Sequence, residues 1–281
     1  MGRTVLFTAF ALVAFAFNSI LCRLALRGGE ADAAGFTAVR LISGAVTLIV
    51  ISYFVNRGTR KGIRGNWFSA FFLFAYAICF SVAYLDLTAG TGALILFGSV
   101  QLTMIVMALI RGERPRPLEW IGLVTAVAGL VYLVVPGLTS PPLMSSLLMA
   151  AAGAAWGFYT LRGKAGADPL ANTTGNFVRS VPMIAIVAIP FISKIDLSNR
   201  GLMLAMLSGA IASGVGYTAW YAALKHLTAT RAAVLQLAVP VIAAIGGVLF
   251  LAETTSLRLF IAGGLILGGI GLTIAGKGKV R

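Results

Sequence analysis

Two arginines, Arg40 and Arg179, stand well inside long apolar runs. A charged side chain at such a position costs at least about 2.5–3.5 kcal/mol on insertion scales. Each lies roughly 10–12 Å from the start of its run at about 1.5 Å per residue, so an arginine stem can snorkel only part of the way to water. Two kinds of chemistry would justify the cost. The guanidinium can bind backbone carbonyls in a structural or gating role, or it can contact a carboxylate that comes from outside the chain. The residue types alone leave both open.

Uncharged polar groups at comparable depth point to a cavity. Gln101 falls near the middle of one apolar run and Gln236 within another, with Pro240 four residues further on. A helix-interior proline displaces the carbonyl four residues earlier, and a freed group at membrane depth must be satisfied by protein, water or ligand. The expectation is therefore that Gln236 presents both its carbonyl and its amide to a cavity. Pro182 would free the Val178 carbonyl beside Arg179 in the same way. Asn18, Tyr76, Trp156, Tyr159 and Tyr217 complete the predicted lining, an amide and a π-rich wall. Trp67, Trp120, Trp220 and Tyr221 lie near run ends and fit an interfacial belt instead.

The acidic residues are only eight: Glu30, Asp32, Asp86, Glu113, Glu119, Asp168, Asp196 and Glu253. All fall in breaks or at run ends, and Glu113 and Glu253 each close a long run. Proton relays commonly use acids or histidines inside the membrane, so the pattern predicts transport without obligatory proton coupling. Glu113 and Glu253 are read as helix-end carboxylates that pair with arginine or cap a helix. The lone His226 and the two cysteines give no metal constellation, and no phosphate-cradling GxxxxGK[ST] motif occurs. No cofactor is expected. No paired acid and base suggest an enzyme.

The elements that must position these residues follow from composition. Of the 281 residues 59% are hydrophobic and 11% charged, against about 45–50% and about 25% in soluble domains. The solvent implied is lipid. Runs of roughly 20 apolar residues suit a hydrocarbon core of about 30 Å. Ten are predicted, at Thr4–Cys22, Ala33–Phe54, Trp67–Leu85, Thr91–Ile110, Leu118–Val135, Leu143–Leu161, Ala171–Ile192, Gly201–Ala222, Ala229–Leu251 and Leu257–Gly276. The first is too long for a signal-peptide core and is read as retained. With both termini cytoplasmic, the inside segments hold 15 Lys and Arg residues and the outside segments 5, the asymmetry of the positive-inside rule. The net charge of +14 is thus a topology signal, and nucleic-acid binding is excluded.

The chain also repeats itself. Leu87-Thr88-Ala89, Ala93 and Glu113 match Leu227-Thr228-Ala229, Ala233 and Glu253 at an offset of 140. Arg40 matches Arg179 at 139, and Asn18 matches Tyr159 at 141. Residues 1–137 and 143–281 form two five-helix units, and the odd number inverts the second relative to the first. Inverted repeats are typical of secondary transporters, with the solute site near the midplane between them.

With Gly112-Glu113-Arg114-Pro115 before Trp120-Ile121-Gly122, and Ala252-Glu253 before Gly263-Gly264, each repeat resembles the EamA domain. The pair resembles the ten-helix branch of the drug/metabolite transporter superfamily, and on overall likeness its YddG-type exporters of aromatic and neutral amino acids. The resemblance implies an all-α integral membrane fold and export of amino acids or related small metabolites across a bacterial inner membrane. A drug or nucleotide-sugar-like carrier, a channel and a lipid-handling enzyme stay as alternatives. The partners expected are a small-molecule substrate and the lipid bilayer. The GxxxG patterns Gly153–Gly157 and Gly264–Gly268 are read as intramolecular packing, which favours a monomer over a dimer.

Overall fold

The computed structural model describes residues 2–55, 63–110, 112, 116–135, 137, 140–163, 168–189, 195–227 and 235–276. Among them are ten long helices: α1 (Gly2–Arg27), α2 (Ala33–Val55), α3 (Trp67–Ala83), α4 (Ala89–Ile110), α5 (Pro117–Val134), α6 (Leu143–Gly163), α7 (Pro169–Ala188), α8 (Asn199–Leu224), α9 (Ala238–Leu251) and α10 (Leu257–Gly276). Seven are long and apolar enough to cross a membrane; α3 and α9 are apolar but shorter. The fold is all-helical, apart from an isolated antiparallel bridge between Ala31 and Leu197. The face on which α1 begins is called the near face below, and the opposite one the far face.

Polar residues between the apolar runs start the helices. Asp32 accepts the Ala34 and Gly35 N–H groups at 2.9 and 2.8 Å, and Asn66 accepts that of Ser69 at 2.8 Å. Asp168 and Ser198 do the same for α7 and α8. Each cap satisfies an N–H that the first turn leaves without an intrahelical acceptor. Pro117 and Pro169 stand in first turns, where a missing N–H costs nothing.

Several boundaries differ from the expected ones, for local reasons. The first helix runs on from Cys22 to Arg27 because its arginines find oxygen partners there: Arg23 reaches the carbonyls of Tyr84 and Leu85, and Arg27 that of Leu251. In the ninth span, Leu235 and Gln236 are helical, Leu237 is a turn and α9 starts at Ala238. Pro240 therefore sits in the first turn of a helix, not in a helix interior as expected. Pro182, by contrast, lies inside the unbroken α7, exposed on the helix surface.

The two repeats interlock. Helices α5 and α10, the last of each, meet backbone to backbone: a Cβ on Gly122 would stand 2.4 Å from the Gly269 carbonyl oxygen, and one on Gly269 would be 2.5 Å from that of Gly122. Helix α6 of the second repeat packs on α4 of the first through Gly153, where a Cβ would meet the Leu96 carbonyl at 2.5 Å. The two GxxxG patterns thus part company. Gly153 is an internal contact, whereas a Cβ on Gly264 or Gly268 would meet nothing within 4 Å among the described residues, so intramolecular packing is corrected for the second pattern.

Both faces carry ties between the repeats. On the far face Asp32 N–H donates to the Asp196 carbonyl at 2.9 Å, and Asp196 N–H returns to Asp32 Oδ2 at 3.1 Å. On the near face Arg64 N–H donates to the Ala171 carbonyl at 3.1 Å and Asn66 N–H to Asn176 Oδ1 at 3.0 Å.

Candidate functional site

The helices that meet at the centre bring aromatic rings together from both repeats. Trp156 on α6 lies 4.9 Å from Tyr76 on α3 and 5.1 Å from Tyr217 on α8, between ring centroids, and stacks on Tyr159 at 5.3 Å. Such offset and tilted pairs are favourable by about 0.5–1.5 kcal/mol beyond their buried area. Between these rings lies a cavity of about 20 Å³, lined by Asn18 and Phe15 of α1, Tyr76 and Phe80 of α3, Leu96 and Phe97 of α4, Trp156 and Tyr217. This volume admits about one water and no amino acid.

Asn18 is 2% exposed. Its Oδ1 accepts hydrogen bonds from Ser208 Oγ at 2.7 Å and Ser213 Oγ at 3.3 Å. The two serines are five residues apart, which in α-helical winding would set them roughly 140° apart around the axis. They share a partner because Ser208–Val215 winds as a π-helix, whose repeat joins residues five apart. At the same level Gly209 approaches α2 so closely that a Cβ would fall 2.1 Å from the Arg40 carbonyl.

Arg40 is 2% exposed. Its Nη2 donates to Tyr76 Oη at 2.9 Å, and its guanidinium carbon lies 5.2 Å from the Tyr76 ring centroid and 4.9 Å from that of Phe80. Among the described residues its Nη1 has no hydrogen-bond partner. Arg179 is different. It is half-buried, and its Nη1 reaches the Arg64 carbonyl at 2.7 Å and the Gly175 carbonyl at 3.0 Å.

On the far face, above the cavity, Arg23 and Glu253 form a nearly buried pair at 3.3 Å, their side chains 11% and 6% exposed. Glu253 Oε2 also accepts the Ala89 N–H at 2.8 Å, and Arg23 Nη1 donates to the Tyr84 and Leu85 carbonyls at 2.8 and 2.6 Å. One knot thus joins the ends of α1, α3 and α9 to the start of α4. Ala252, in a left-handed turn at φ 49°, carries the chain past the end of α9 to Glu253.

Four of the seven expected lining residues, Asn18, Tyr76, Trp156 and Tyr217, are brought to this one cavity. Tyr159 stacks behind Trp156. Gln101 is buried in α4 and Gln236 half-buried ahead of α9, and neither lines the cavity. Glu113 lies outside the described residues. Phe15, Phe80, Leu96 and Phe97 were not among the expected residues, although Phe80 follows Tyr76 by four and so shares its helix face. A larger groove of about 460 Å³ runs between α4, α9 and α10. Its walls, such as Val241, Ile245, Leu249 and Phe260, are exposed and apolar, with Thr255 the polar side chain among the described lining residues.

Residues 2–135, and again residues 143–275, match the model of the EamA-like transporter family. The chain belongs to this family. As an EamA-like protein it is a multi-pass membrane protein built of two five-helix repeats. It is 48% identical to an uncharacterised protein of Pseudomonas aeruginosa over 97% of this chain and 95% of that one. It is 30% identical to the threonine/homoserine exporter RhtA of Escherichia coli, over 63% of this chain and 62% of that one. A chloroplastic WAT1-related protein of Arabidopsis thaliana is 30% identical over 78% of this chain and 57% of its own length. One crystal structure shares the fold with a TM-score of 0.66 at 19% identity, over 97% of this chain and 95% of that one.

Proposed function

We propose that this EamA-like protein exports amino acids, neutral and aromatic ones foremost, or closely related small metabolites, across a bacterial inner membrane by alternating access. The observation that carries the reading is the make-up of the central cavity. Rings from both repeats surround one amide, and the cavity is closed to a size that no solute fits. Such a site suits a small amphipathic solute and must open to admit it. The relative named as a threonine/homoserine exporter supports an amino-acid substrate. The excess of Lys and Arg on the near-face segments supports cytoplasmic termini. The Arg23–Glu253 knot then closes the periplasmic side in this conformation.

Among the described residues no carboxylate lines the cavity, which supports solute movement without obligatory proton coupling. The test is initial-rate uptake of labelled threonine, methionine and phenylalanine into liposomes holding the purified protein. Saturable uptake of at least one, above protein-free liposomes, is expected. Uptake of none, with the protein shown to be folded, would overturn the amino-acid reading.

A further inference from the structure

We propose that Arg40 is the carboxylate-binding residue of the central site, so that the solute carries one carboxylate held as a monoanion by this guanidinium. The assignment rests on the reading of the cavity as a transport site. Its own support is an electrostatic mismatch inside the molecule. Arg23, Arg27, Arg179 and Arg258 each donate to backbone carbonyls, and Arg23 also pairs with Glu253. Arg40 is as buried as a leucine of the core, yet it enters neither of the ion pairs found among the described residues, Arg23–Glu253 and Arg200–Glu30. Its contacts are one tyrosine hydroxyl and two ring faces, which orient a cation without neutralising it.

Nη1 of Arg40 is the one buried side-chain nitrogen or oxygen among the described residues that has no hydrogen-bond partner. Burying a charge is costly unless it is paired. The protein therefore keeps a fixed positive charge and a free N–H donor immediately behind Tyr76 and Phe80, two of the cavity's walls. A planar guanidinium with open donors matches a carboxylate in fork geometry. Arg40 stands behind the lining rather than in it, and among the described residues the lining itself holds no Lys or Arg, so a monoanion fits better than a phosphate dianion. Among the described residues an amino acid's ammonium meets no acid here; the faces of Trp156 and Tyr217 and the Asn18 amide are what the cavity offers it. The carboxylate should accordingly matter more than the amine.

The experiment measures binding of three ligands to the purified full-length protein, by quenching of tryptophan fluorescence. Phenylalanine carries both charges, phenylalaninamide lacks the carboxylate and 3-phenylpropionate lacks the amine. Phenylalanine and 3-phenylpropionate should bind, and the amide at least about tenfold more weakly. This comparison uses the unaltered protein. In Arg40→Gln, checked for folding by thermal melting, affinity for the two acids should fall about 10- to 100-fold with the amide unchanged; Arg40→Lys should recover part of the loss. Equal binding of acid and amide, or a folded Arg40→Gln that still prefers the acids, overturns the assignment. If no amino acid binds but 3-phenylpropionate or lactate does so in an Arg40-dependent manner, the amino-acid reading falls and the assignment stands. If no carboxylate binds at all, the assignment falls.

Discussion

Trp156 lies within 5.3 Å of three of the central aromatic rings, those of Tyr76, Tyr217 and Tyr159, and forms part of the cavity wall. Trp156→Ala should raise the KM for uptake by about tenfold, from loss of ring contact with the solute, while the protein still folds and inserts. An unchanged KM would remove Trp156 from the site. Its candidacy was only partly legible: Tyr76 falls at mid-span, where an interfacial anchor is wasted, whereas Trp156 lies nearer the end of its run. The two arginines show what was not legible. Arg40 and Arg179 occupy matched positions and read alike, yet one is buried against Tyr76 and Phe80 and the other reaches carbonyls at the near face. The difference comes from which helix packs alongside. Gln236 fails as a lining residue for a similar reason: a break at Leu237 cannot be told from a kink by the position of Pro240 alone.

At the level of elements, the far-face knot ties four helix ends through two side chains, and both come from charges at the ends of apolar runs. Glu253→Gln removes the charge that holds Arg23, and the ends of α1 and α9 should part more often. Cys22, fully buried beside Arg23, is a native reporter. In a Cys79→Ser background a membrane-impermeant maleimide should label Cys22 at least about tenfold faster in Glu253→Gln, given the strength of charged hydrogen bonds. An equal rate would mean that the knot does not hold this face closed. The α5–α10 seam makes a separate prediction. Any side chain at Gly122 drives into the Gly269 carbonyl, so Gly122→Val should cost about 1–3 kcal/mol by overpacking, seen as a lower melting temperature in detergent. An unchanged melting temperature would show that the seam yields easily. The sequence predicted a run of apolar residues for α8 but gave no sign of its π-wound segment, whose Ser208 and Ser213 meet Asn18 of another helix, 190 and 195 residues away in the chain.

On the scale of the whole molecule, the inverted repeat was readable because motif order survives at a near-constant offset, from Arg40 and Arg179 to Glu113 and Glu253. How the halves interlock was not, since Gly153 on Leu96 and Gly122 on Gly269 are contacts between residues far apart in the chain. The architecture places a small, ring-lined cavity between two units that are tied at both faces, and the alternating access proposed above would break one set of ties while the other holds. With no carboxylate in the cavity lining among the described residues, an imposed pH gradient should leave initial uptake rates unchanged; rates that track the gradient would reinstate proton coupling. The most direct test of a carrier built on this cavity is counterflow in liposomes. Labelled phenylalanine outside should enter faster when unlabelled phenylalanine is loaded inside, and the acceleration should weaken in Trp156→Ala. Uptake that rises linearly with concentration and ignores the internal amino acid would contradict it.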